Sequence, residues 1–523
     1  MFRASPITDT LIKKALEAPD EQVLLTGQHQ ITNLDIYNGA LSLAQHLQQK
    51  GFQPGDRAVI AAQPGFDFVK VIYALIFLRG QIAIIDPEMG RDNYKSKLRQ
   101  FDPQWAFVDS RLLLLQEHPI LRWLYLRKSA TAPYFPRTKG IKIIACGYWL
   151  PLVQTLVWLP RKPLPCPAPE TLLSTSGTAS HANDEFLITY TSGTIAEPKG
   201  VVHTVGSISE SVRLIGQLLN PEKETLMAAY LPHYILIAMS AGLKALVYDP
   251  KKMDAVEKLA FLAQNGVTTI MGPPADFLPM IEHCEQSGTT FPSGLQHIML
   301  GSAPVTRRFL TRIAAVCHPE LQITCLYGMT ENLLTAYTDG RFKRDFDTPG
   351  DLLGTLAPDV EAKIVDDEIF IKSPQLFRRY FHLSSRDEWH PTGDLGQIDE
   401  SGQLILLGRK KDMIIRRNQN IYPTLYESTI NQIPEVDEAV LVGIYDEARA
   451  DEQVVLFVEG KENLDKYTLM KRLEAGPFAI DAEALPDEII LMKLPRSGRQ
   501  HKVDKQALRA LGGRTLVRQN VTD

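Results

Sequence analysis

The sequence predicts an α/β protein with a large N-terminal domain of layered α/β subdomains plus a small β subdomain, and a small mobile α+β C-terminal domain. A chain of 523 residues is too long for one compact core, so several domains are expected. Short apolar runs alternate with stretches of helical spacing, which is typical of layered folds with mainly parallel strands. The runs become shorter around 351–371, and a separate small unit follows from residue 412.

The first 110 residues set this pattern. Helical spacing predicts helices over 34–49 and 66–79, and apolar runs predict strands at 57–61, 82–85 and 105–108. The alternation of these elements indicates parallel strands connected by helices.

The same alternation continues through the middle of the chain. A strand at 185–190 and a helix over 203–219 are predicted on either side of a Gly-rich loop. Further strands are predicted at 268–271, 296–300 and 322–327.

The C-terminal unit has its own pattern of elements. Strands are predicted at 438–443, 453–459 and 488–492, with a helix at 465–474. This unit is therefore expected to be a small α+β domain.

Composition narrows the function classes. A formal net charge of -5 gives no reason to expect nucleic-acid binding. The five cysteines are odd in number and form no C-x-x-C pair, which favours a reduced compartment. The first 20 residues contain no apolar segment typical of a signal peptide. The sequence therefore predicts a cytoplasmic protein.

The segment 118–169 contains no acidic residue, although it has eight basic residues and three of the five tryptophans. Basic and aromatic residues beside apolar ones suit a membrane interface or an acyl-chain entrance. A connection between subdomains with a buried apolar face fits the same composition. Weak peripheral membrane contact through 118–169 is one expectation, and a buried connection is the other.

The segment 190–200, Tyr-Thr-Ser-Gly-Thr-Ile-Ala-Glu-Pro-Lys-Gly, has the composition of a loop that wraps a polyphosphate. Glycine allows close backbone approach, hydroxyls and amides donate to phosphate oxygens, and lysine adds a charge. The spacing differs from that of the NTPase P-loop. The residues expected to bind nucleotide here are Thr191, Ser192, Gly193, Thr194, Lys199 and Gly200.

This loop resembles the phosphate loop of the acyl-adenylate-forming (AMP-binding) superfamily, which includes acyl-CoA synthetases, peptide-synthetase adenylation domains and luciferases. Where the family usually has Thr-Gly, this chain has Ile195-Ala196. Four further signatures follow in the family order, at 301–304, 327–331, 392–394 and 408–412. The resemblance covers roughly residues 20–510.

The resemblance implies a role for each signature. Gly301-Ser302-Ala303-Pro304 and Tyr327-Gly328 border the adenine, Thr330 binds the α-phosphate, and Glu331 helps to hold Mg²⁺. A carboxylate beside phosphates is expected mainly where both bind the same hard cation. Asp394 accepts both ribose hydroxyls, and Arg409 lies near ribose and phosphate. The further nucleotide-binding residues are Ser302, Ala303, Pro304, Tyr327, Gly328, Asp394 and Arg409.

The family hinge falls at Lys411, which implies an N-terminal AMP-binding domain over 1–410 and a C-terminal lid domain over 411–523. The family also has a catalytic lysine near its C-terminus. Counting from Pro495 selects His501, whereas the Lys-Val-Asp sequence at 502–504 selects Lys502. We favour Lys502, because a permanent positive charge serves a phosphoryl transition state better than neutral imidazole does.

The implied activity is that of an AMP-forming acid–thiol ligase that uses ATP and Mg²⁺. The catalytic residues are then Lys502, Thr330 and Glu331. A carboxylate attacks the α-phosphate of ATP, pyrophosphate leaves, and catalysis consists mainly of charge neutralisation and alignment.

The acyl substrate is expected to be a hydrophobic carboxylic acid, and a fatty acid is the favoured kind. Amino-acid-activating relatives have an aspartate in the segment that corresponds to 230–242, and this chain has no acid there. The following strand, 296–300, is mostly apolar, and an unpaired buried ammonium would be costly. His233 in this segment is either part of the pocket or an ordinary polar residue at a strand end.

The acyl acceptor has more than one candidate. The sequence that follows the hinge fits CoA or the phosphopantetheine of an acyl carrier protein as acceptor. Arg416 and Arg417 in this segment are suited to bind the phosphates of CoA or an acidic carrier protein. The middle of the chain also resembles bacterial β-lactone synthetases of olefin biosynthesis, which adenylate a β-hydroxy acid without a thiol. An acyl-AMP ligase that does not use CoA and a non-catalytic nucleotide-binding homologue are the remaining alternatives.

Overall fold

A computed structural model describes residues 6–27, 29–85, 91–126, 135, 140–147, 157–159, 164–175, 181–190, 199–219, 225–347, 349–384, 386–417, 419–446, 451–497 and 502–519. Their arrangement agrees with the expected mixture of α/β layers and a small C-terminal unit.

The described strands, in chain order, are β1 (Gln22–Thr26), β2 (His29–Thr32), β3 (Arg57–Ala61), β4 (Gln81–Ile84), β5 (Trp105–Asp109), β6 (Lys142–Cys146), β7 (Val157–Trp158), β8 (Glu185–Tyr190), β9 (Gly200–Thr204), β10 (Leu226–Ala229), β11 (Lys244–Val247), β12 (Thr269–Gly272), β13 (His297–Leu300), β14 (Gln322–Met329), β15 (Asn332–Asp339), β16 (Asp351–Leu356), β17 (Glu361–Val365), β18 (Glu368–Lys372), β19 (Arg379–Tyr380), β20 (His390–Ile398), β21 (Leu404–Arg409), β22 (Ile414–Arg416), β23 (Gln419–Ile421), β24 (Val436–Asp446), β25 (Asp451–Gly460), β26 (Glu488–Leu491), β27 (Arg496–Ser497) and β28 (Lys502–Val503).

The described α-helices are α1 (Pro6–Glu17), α2 (Asn33–Gln49), α3 (Phe66–Phe77), α4 (Arg91–Phe101), α5 (Ser110–Glu117), α6 (Pro119–Leu126), α7 (Pro169–Thr175), α8 (Val205–Leu218), α9 (Pro232–Ser240), α10 (Ala255–Gln264), α11 (Pro274–Ser287), α12 (Arg307–Val316), α13 (Gly340–Asp345), α14 (Pro423–Ile430), α15 (Lys466–Glu474) and α16 (Lys505–Gln519). In the part of the chain that these elements represent, no helix combines the length and apolar character needed to cross a membrane.

Two large sheets organise the N-terminal part. In the first, β1, β11, β10, β12, β13 and β14 run parallel, and β15, β16, β21, β20, β18 and β17 extend it as antiparallel neighbours. In the second, β8, β4, β3, β5, β6 and β7 run parallel, β9 pairs antiparallel with β8, and β19 pairs antiparallel with β9. The antiparallel extension of the first sheet is the predicted small β subdomain.

A single apolar core lies between the two sheets. It contains buried residues of both sheets together with the inner faces of α2, α3, α8 and α9. Helix α3 has nine buried side chains in twelve residues because it is enclosed on most sides. Separate cores lie under α10, α11 and α12 outside the first sheet, and under α4 and α5 outside the second. The result is a stack of alternating helix and sheet layers.

The predicted helix over 203–219 is partly wrong, because its first residues form a strand. Gly200–Thr204 is β9, and helix α8 begins only at Val205. The β-branched residues Val201 and Val202 pair with β8, and Thr204 then closes a capping box with Ser207. The phosphate loop therefore connects two antiparallel strands rather than a strand and a helix.

Polar contacts join the C-terminal unit to the rest of the chain. Strands β24 and β25 pair over ten residues, and β26 joins β25 in parallel. From helix α12, the Arg308 guanidinium donates to the Val436 carbonyl oxygen and lies 3.2 Å from Asp437. The Tyr422 hydroxyl donates to Asp367 over 3.1 Å. These contacts cross the predicted boundary at 410/411, and that boundary stays a prediction.

We expect Gly354→Ala to destabilise the fold more than Gly402→Ala does. Both glycines have positive φ, 102° and 81°, so both substitutions strain the backbone by about 1 kcal/mol or more. A Cβ at Gly354 would also lie 2.2 Å from the Tyr337 carbonyl oxygen, whereas a Cβ at Gly402 would meet no atom within 4 Å. Thermal unfolding of both variants tests this, and equal losses of Tm would contradict it.

Candidate active site

The predicted nucleotide-binding residues lie where three strands end. Strand β8 ends at Tyr190 before the phosphate loop, β13 ends before Ser302, and β14 ends before Thr330. Strands β13 and β14 are parallel neighbours, so their carboxyl ends lie at the same edge of the first sheet. Ligands of parallel α/β sheets bind at such edges.

Residues 191–198 lie outside the described part of the chain. The predicted contacts of Thr191, Ser192, Gly193 and Thr194 therefore stay predictions. The loop's far end is described, because Lys199 is exposed and Gly200 begins β9.

Three predicted residues form one buried cluster. The Tyr327 hydroxyl donates a 2.6 Å hydrogen bond to Asp394 Oδ2. Arg409 faces Asp394 across the β20–β21 ladder, and its Nε lies 2.6 Å from Asp394 Oδ1. Tyr327 and Asp394 are 67 residues apart in the sequence, and the antiparallel extension of the sheet brings them into contact.

Asp394 is a fully buried carboxylate with an incomplete set of hydrogen bonds. Burial raises its pKa, and the nearby Arg409 charge and the Tyr327 hydrogen bond oppose that rise. Its Oδ1 atom is in ionic contact with Arg409 but accepts no aligned hydrogen bond. Since buried carboxylate oxygens are usually hydrogen-bonded, this oxygen is suited to accept from a ligand hydroxyl.

Glu331 is oriented by two residues that the sequence analysis missed. The Tyr380 hydroxyl donates to Glu331 Oε1 over 3.0 Å, and the Phe377 amide donates to the Glu331 carbonyl oxygen over 2.8 Å. Lys199 Nζ lies 5.4 Å from the centre of the Tyr380 ring, within the range of a cation–π contact. Tyr380 therefore touches both a predicted phosphate-binding residue and the predicted metal ligand.

The pairing of β19 with β9 produces this arrangement. Tyr380 pairs with Val201, and the Phe381 amide donates to the Gly200 carbonyl oxygen over 2.7 Å. A two-residue strand gives almost no sequence signal, which explains why it was not predicted. The phrase Arg-Arg-Tyr-Phe at 378–381 was the available clue.

Thr330 is held through its backbone. His203 Nε2 lies 2.7 Å from the Thr330 carbonyl oxygen, and His203 Nδ1 lies 3.3 Å from Ser207 Oγ. Burial lowers the pKa of His203 to about 4, so the imidazole is neutral near pH 7. The neutral ring donates from Nε2 to Thr330 and accepts at Nδ1. The Thr330 turn is thus fastened to the strand that follows the phosphate loop.

The remaining predicted residues lie in three separate places, a turn after β13, the end of β14 and strand β28. Ser302 has φ 65° and is exposed, and Ala303 and Pro304 continue the same turn. Gly328 cannot be replaced without a shift of the backbone around it, because an added Cβ would lie 2.1 Å from the Leu333 carbonyl oxygen.

Lys502 is in β28, paired with Ser497 of β27, and His501 lies outside the described residues. The choice between Lys502 and His501 stays a prediction.

The donor set is compatible with Mg²⁺ bound together with a nucleotide. Among the described residues, no group of three or more His, Cys, Asp or Glu forms a metal cluster. Glu331 offers one oriented carboxylate beside the predicted phosphate positions. Mg²⁺ in nucleotide sites is typically held by one or two carboxylates plus phosphate oxygens and water. Glu331 therefore fits the role of a single protein ligand.

An acidic residue that the sequence analysis missed lies near the predicted acyl segment. Asp276, in the first turn of α11, accepts a hydrogen bond from the Tyr230 hydroxyl. The rings of Tyr234 and Tyr248 lie edge-on to Tyr230, with centres 5.7 Å away. His233 is on helix α9, not at a strand end, and it is exposed. The segment 230–242 remains acid-free, but its surroundings are more polar than its own sequence predicts.

Comparison with known proteins agrees with this geometry. Residues 11–381 match the model of the family described as AMP-binding enzyme. A 2-succinylbenzoate–CoA ligase of Bacillus mycoides is 24% identical over 497 residues, covering 88% of this chain and 93% of the relative.

Solved structures show the same fold. The o-succinylbenzoate CoA synthetase of Bacillus subtilis, in complex with its acyl-adenylate intermediate, superposes with a TM-score of 0.72 at 18% identity, covering 96% of this chain and 98% of that one. A fatty acyl CoA synthetase of Mycobacterium tuberculosis gives a TM-score of 0.66 at 20% identity, covering 97% and 98%. The predicted fold class is confirmed, as is the prediction of an enzyme of the AMP-binding type. With nearly three quarters of its length matched by the family model, the chain belongs to the AMP-binding enzyme family.

Proposed function

We propose that this protein uses ATP and Mg²⁺ to activate a hydrophobic carboxylic acid as an acyl-adenylate, and then transfers the acyl group to the thiol of CoA or of a carrier protein. The observation that carries the proposal is the meeting of Tyr327, Asp394 and Arg409 in one cluster. These three residues come from separate signatures, and a nucleotide site is the simplest reason for their contact.

Nucleotide binding in this proposal uses the incomplete hydrogen bonding of Asp394. A ribose hydroxyl supplies the aligned donor that Asp394 Oδ1 lacks, while the half-exposed Arg409 side chain keeps its ionic contact with Asp394 and adds positive charge beside it. The Tyr327 ring, fixed by its hydroxyl, forms a wall for the base. Recognition thus adds hydrogen bonds to a buried charge rather than removing them.

Adenylate formation brings two anions together, the acid and the triphosphate. When bound, Mg²⁺ supplies charge neutralisation at the phosphates. Lys199 and Lys502 add positive charge, Thr330 positions the α-phosphate, and Glu331 is kept in orientation by Tyr380. The carboxylate oxygen forms the new bond to phosphorus while the bond to the pyrophosphate oxygen breaks.

The preference for an apolar acid is supported by the residues around α9. Ile235, Ile237 and Met239 are buried in the central core beside Met271 and Met299. Asp276 is engaged with Tyr230, so its carboxylate is already hydrogen-bonded. A charged substrate amine would need a partner of its own in this region.

The test is incubation with ATP, Mg²⁺ and a panel of acids, with and without CoA. The panel contains fatty acids of several lengths, a β-hydroxy fatty acid, 2-succinylbenzoate and amino acids. Pyrophosphate release reports adenylation, and mass spectrometry identifies the product. A β-lactone formed without CoA would replace the thiol-transfer step, and no release with any acid would contradict the proposal.

Lys502→Ala should reduce acyl-adenylate formation about 10²-fold or more, on the scale of losing one transition-state charge contact. The variant should still convert preformed acyl-adenylate and CoA to thioester, since that step does not need charge at the α-phosphate. The matched variant is His501→Ala. If His501→Ala is the impaired enzyme and Lys502→Ala is active, the assignment of the lysine is wrong.

Substrate preference should rise with acyl-chain length until the pocket is full. Each buried methylene contributes about 0.8 kcal/mol, so two added carbons should raise kcat/KM roughly tenfold. Steady-state kinetics over a saturated acid series measures this. A preference for acetate, for amino acids or for 2-succinylbenzoate over medium-chain acids would contradict the hydrophobic pocket.

Tyr380→Phe should lower the apparent affinity for the Mg²⁺ that binds together with ATP, because it removes the hydroxyl that contacts Glu331. The aromatic ring beside Lys199 is kept. Losing one hydrogen bond to a charged group costs about 1.5 kcal/mol, so the apparent Mg²⁺ affinity should fall roughly tenfold. Calorimetric titration of ATP at several Mg²⁺ concentrations measures it without turnover. Tyr380→Leu, which removes the ring as well, should weaken binding further. An unchanged Mg²⁺ dependence in Tyr380→Phe would show that the contact with Glu331 has no role.

A further inference from the structure

The turn at residues 392–394 leaves the backbone ladder of its sheet. The register of β18 and β20 shifts between Glu368 and Phe370, so these three residues of β20 lie opposite Ile369 alone. Such a bulge leaves backbone groups of the longer strand without a partner in the ladder. A side chain is then needed for the amides of the turn, because partly buried amides are rarely left without a hydrogen bond.

Glu368 supplies one of these partners. Its Oε1 accepts a 3.0 Å hydrogen bond from the Gly393 amide. The Thr392 hydroxyl holds the same turn, because it donates to the Ile369 carbonyl oxygen over 2.8 Å and accepts from the Asp394 amide over 3.0 Å. Gly393 has φ 72°, a left-handed conformation that glycine adopts at little cost. The position of Asp394 therefore depends on contacts that β18 makes with the turn before it.

The second oxygen of Glu368 contacts the segment at the end of the neighbouring strand. Glu368 Oε2 lies 2.7 Å from Lys410 Nζ. Lys410 directly follows Arg409, which pairs with Asp394 in the β20–β21 ladder. Glu368 is only 6% exposed, and a buried carboxylate is costly without its partners. Glu368 thus joins the turn before Asp394 to the residue after Arg409.

We propose that Glu368 is a positioning residue for ribose recognition. Through the Gly393 amide it holds the Asp394 carboxylate in the orientation that accepts the ribose hydroxyls. Asp394 Oδ1, which accepts no aligned hydrogen bond among the described residues, is the oxygen whose direction matters. The inference rests on the proposed function, since that function assigns the ribose to Asp394. Loss of Glu368 should weaken recognition of the ribose hydroxyls more than binding of the base and the phosphates.

Calorimetric titration with ATP and with 2′,3′-dideoxy-ATP tests this without turnover. The unchanged protein should bind ATP at least about tenfold more tightly, because the dideoxy nucleotide lacks the hydroxyls that donate to a charged group. Glu368→Ala should lower this affinity ratio to about twofold, since a misdirected carboxylate loses most of those hydrogen bonds. If Glu368→Ala weakens the binding of both nucleotides equally and keeps the ratio, Glu368 only supports the fold and the proposal is overturned.

Matched variants separate the two contacts of Glu368. Glu368→Gln keeps an oxygen that can accept from the Gly393 amide, and it should retain most of the ratio. Glu368→Asp keeps the charge but is one methylene shorter, and it should lose the ratio as Glu368→Ala does. Loss of the ratio in Glu368→Gln but not in Glu368→Asp would assign the effect to the charge of Lys410 and overturn the role of Gly393.

A control variant comes from the neighbouring strand of the same sheet. Glu361, on β17, is an exposed carboxylate that lies 3.2 Å from Lys372. Glu361→Gln should bind both nucleotides as the unchanged protein does. A fall of the ratio in Glu361→Gln as large as in Glu368→Ala would show a general effect of the sheet's charge and overturn the proposal.

The same titrations distinguish this inference from the proposed function. If the unchanged protein binds neither nucleotide, the proposed function fails and the inference fails with it. If the unchanged protein binds both nucleotides equally well, or if Glu368→Ala discriminates as well as it does, only the inference fails. Thermal unfolding identifies the temperature at which each variant is folded. Should Glu368→Ala not fold, the comparison of Glu368→Gln with Glu368→Asp decides by the same ratio.

Discussion

The site depends on the short antiparallel pairing of β9 with β19. Two residue pairs, Arg379 with Val202 and Tyr380 with Val201, attach the segment between β18 and β20 of the small β subdomain to the end of the phosphate loop. The pairing places the Tyr380 hydroxyl against Glu331 and its ring beside Lys199. Because β9 also pairs with β8, both ends of the phosphate loop are fixed by one antiparallel ladder. The backbone hydrogen bonds of β8, β9 and β19 thus connect the two ends of the phosphate loop with the small β subdomain. The predicted metal ligand Glu331 is joined to the same segment through the Phe377 amide.

Two buried polar contacts complement this ladder. His203 ties β9 to the Thr330 carbonyl oxygen, and its lowered pKa keeps the ring in the neutral form that can donate from one nitrogen and accept at the other. Asp394 binds Tyr327 to the antiparallel extension of the first sheet. Burying a carboxylate is costly unless it is paired, so this cluster is favourable only while Tyr327 and Arg409 remain in place. The same residues that carry the proposed chemistry therefore also hold the sheet edge together.

Local patterns in the sequence predicted the layered fold, and the same patterns supplied the candidate site residues, whose roles stay predictions. Strands such as Arg57–Ala61 and Glu185–Tyr190 were predicted with their observed bounds, because apolar runs of five or six residues are too short for a typical helix and suit a strand. The last two residues of strand β9, His203 and Thr204, were assigned to a helix, since the pairing of β9 with β8 and β19 is visible only in three dimensions. Tyr380 and Asp276 were missed for the same reason: each acquires its role from a residue 46 or more positions away. The contacts of residues 191–198 lie outside the described part of the chain, and the choice of Lys502 over His501 also remains a prediction.

The contacts that join the C-terminal unit to the larger part of the chain have a mechanical consequence. Arg308 with Asp437 and Tyr422 with Asp367 are polar pairs whose side chains are partly open to solvent. Water can replace either partner at little cost, since exposed ion pairs contribute about 0–1 kcal/mol. A joint made of such pairs resists rotation weakly. These two pairs therefore contribute little energy to holding the C-terminal unit in the orientation described.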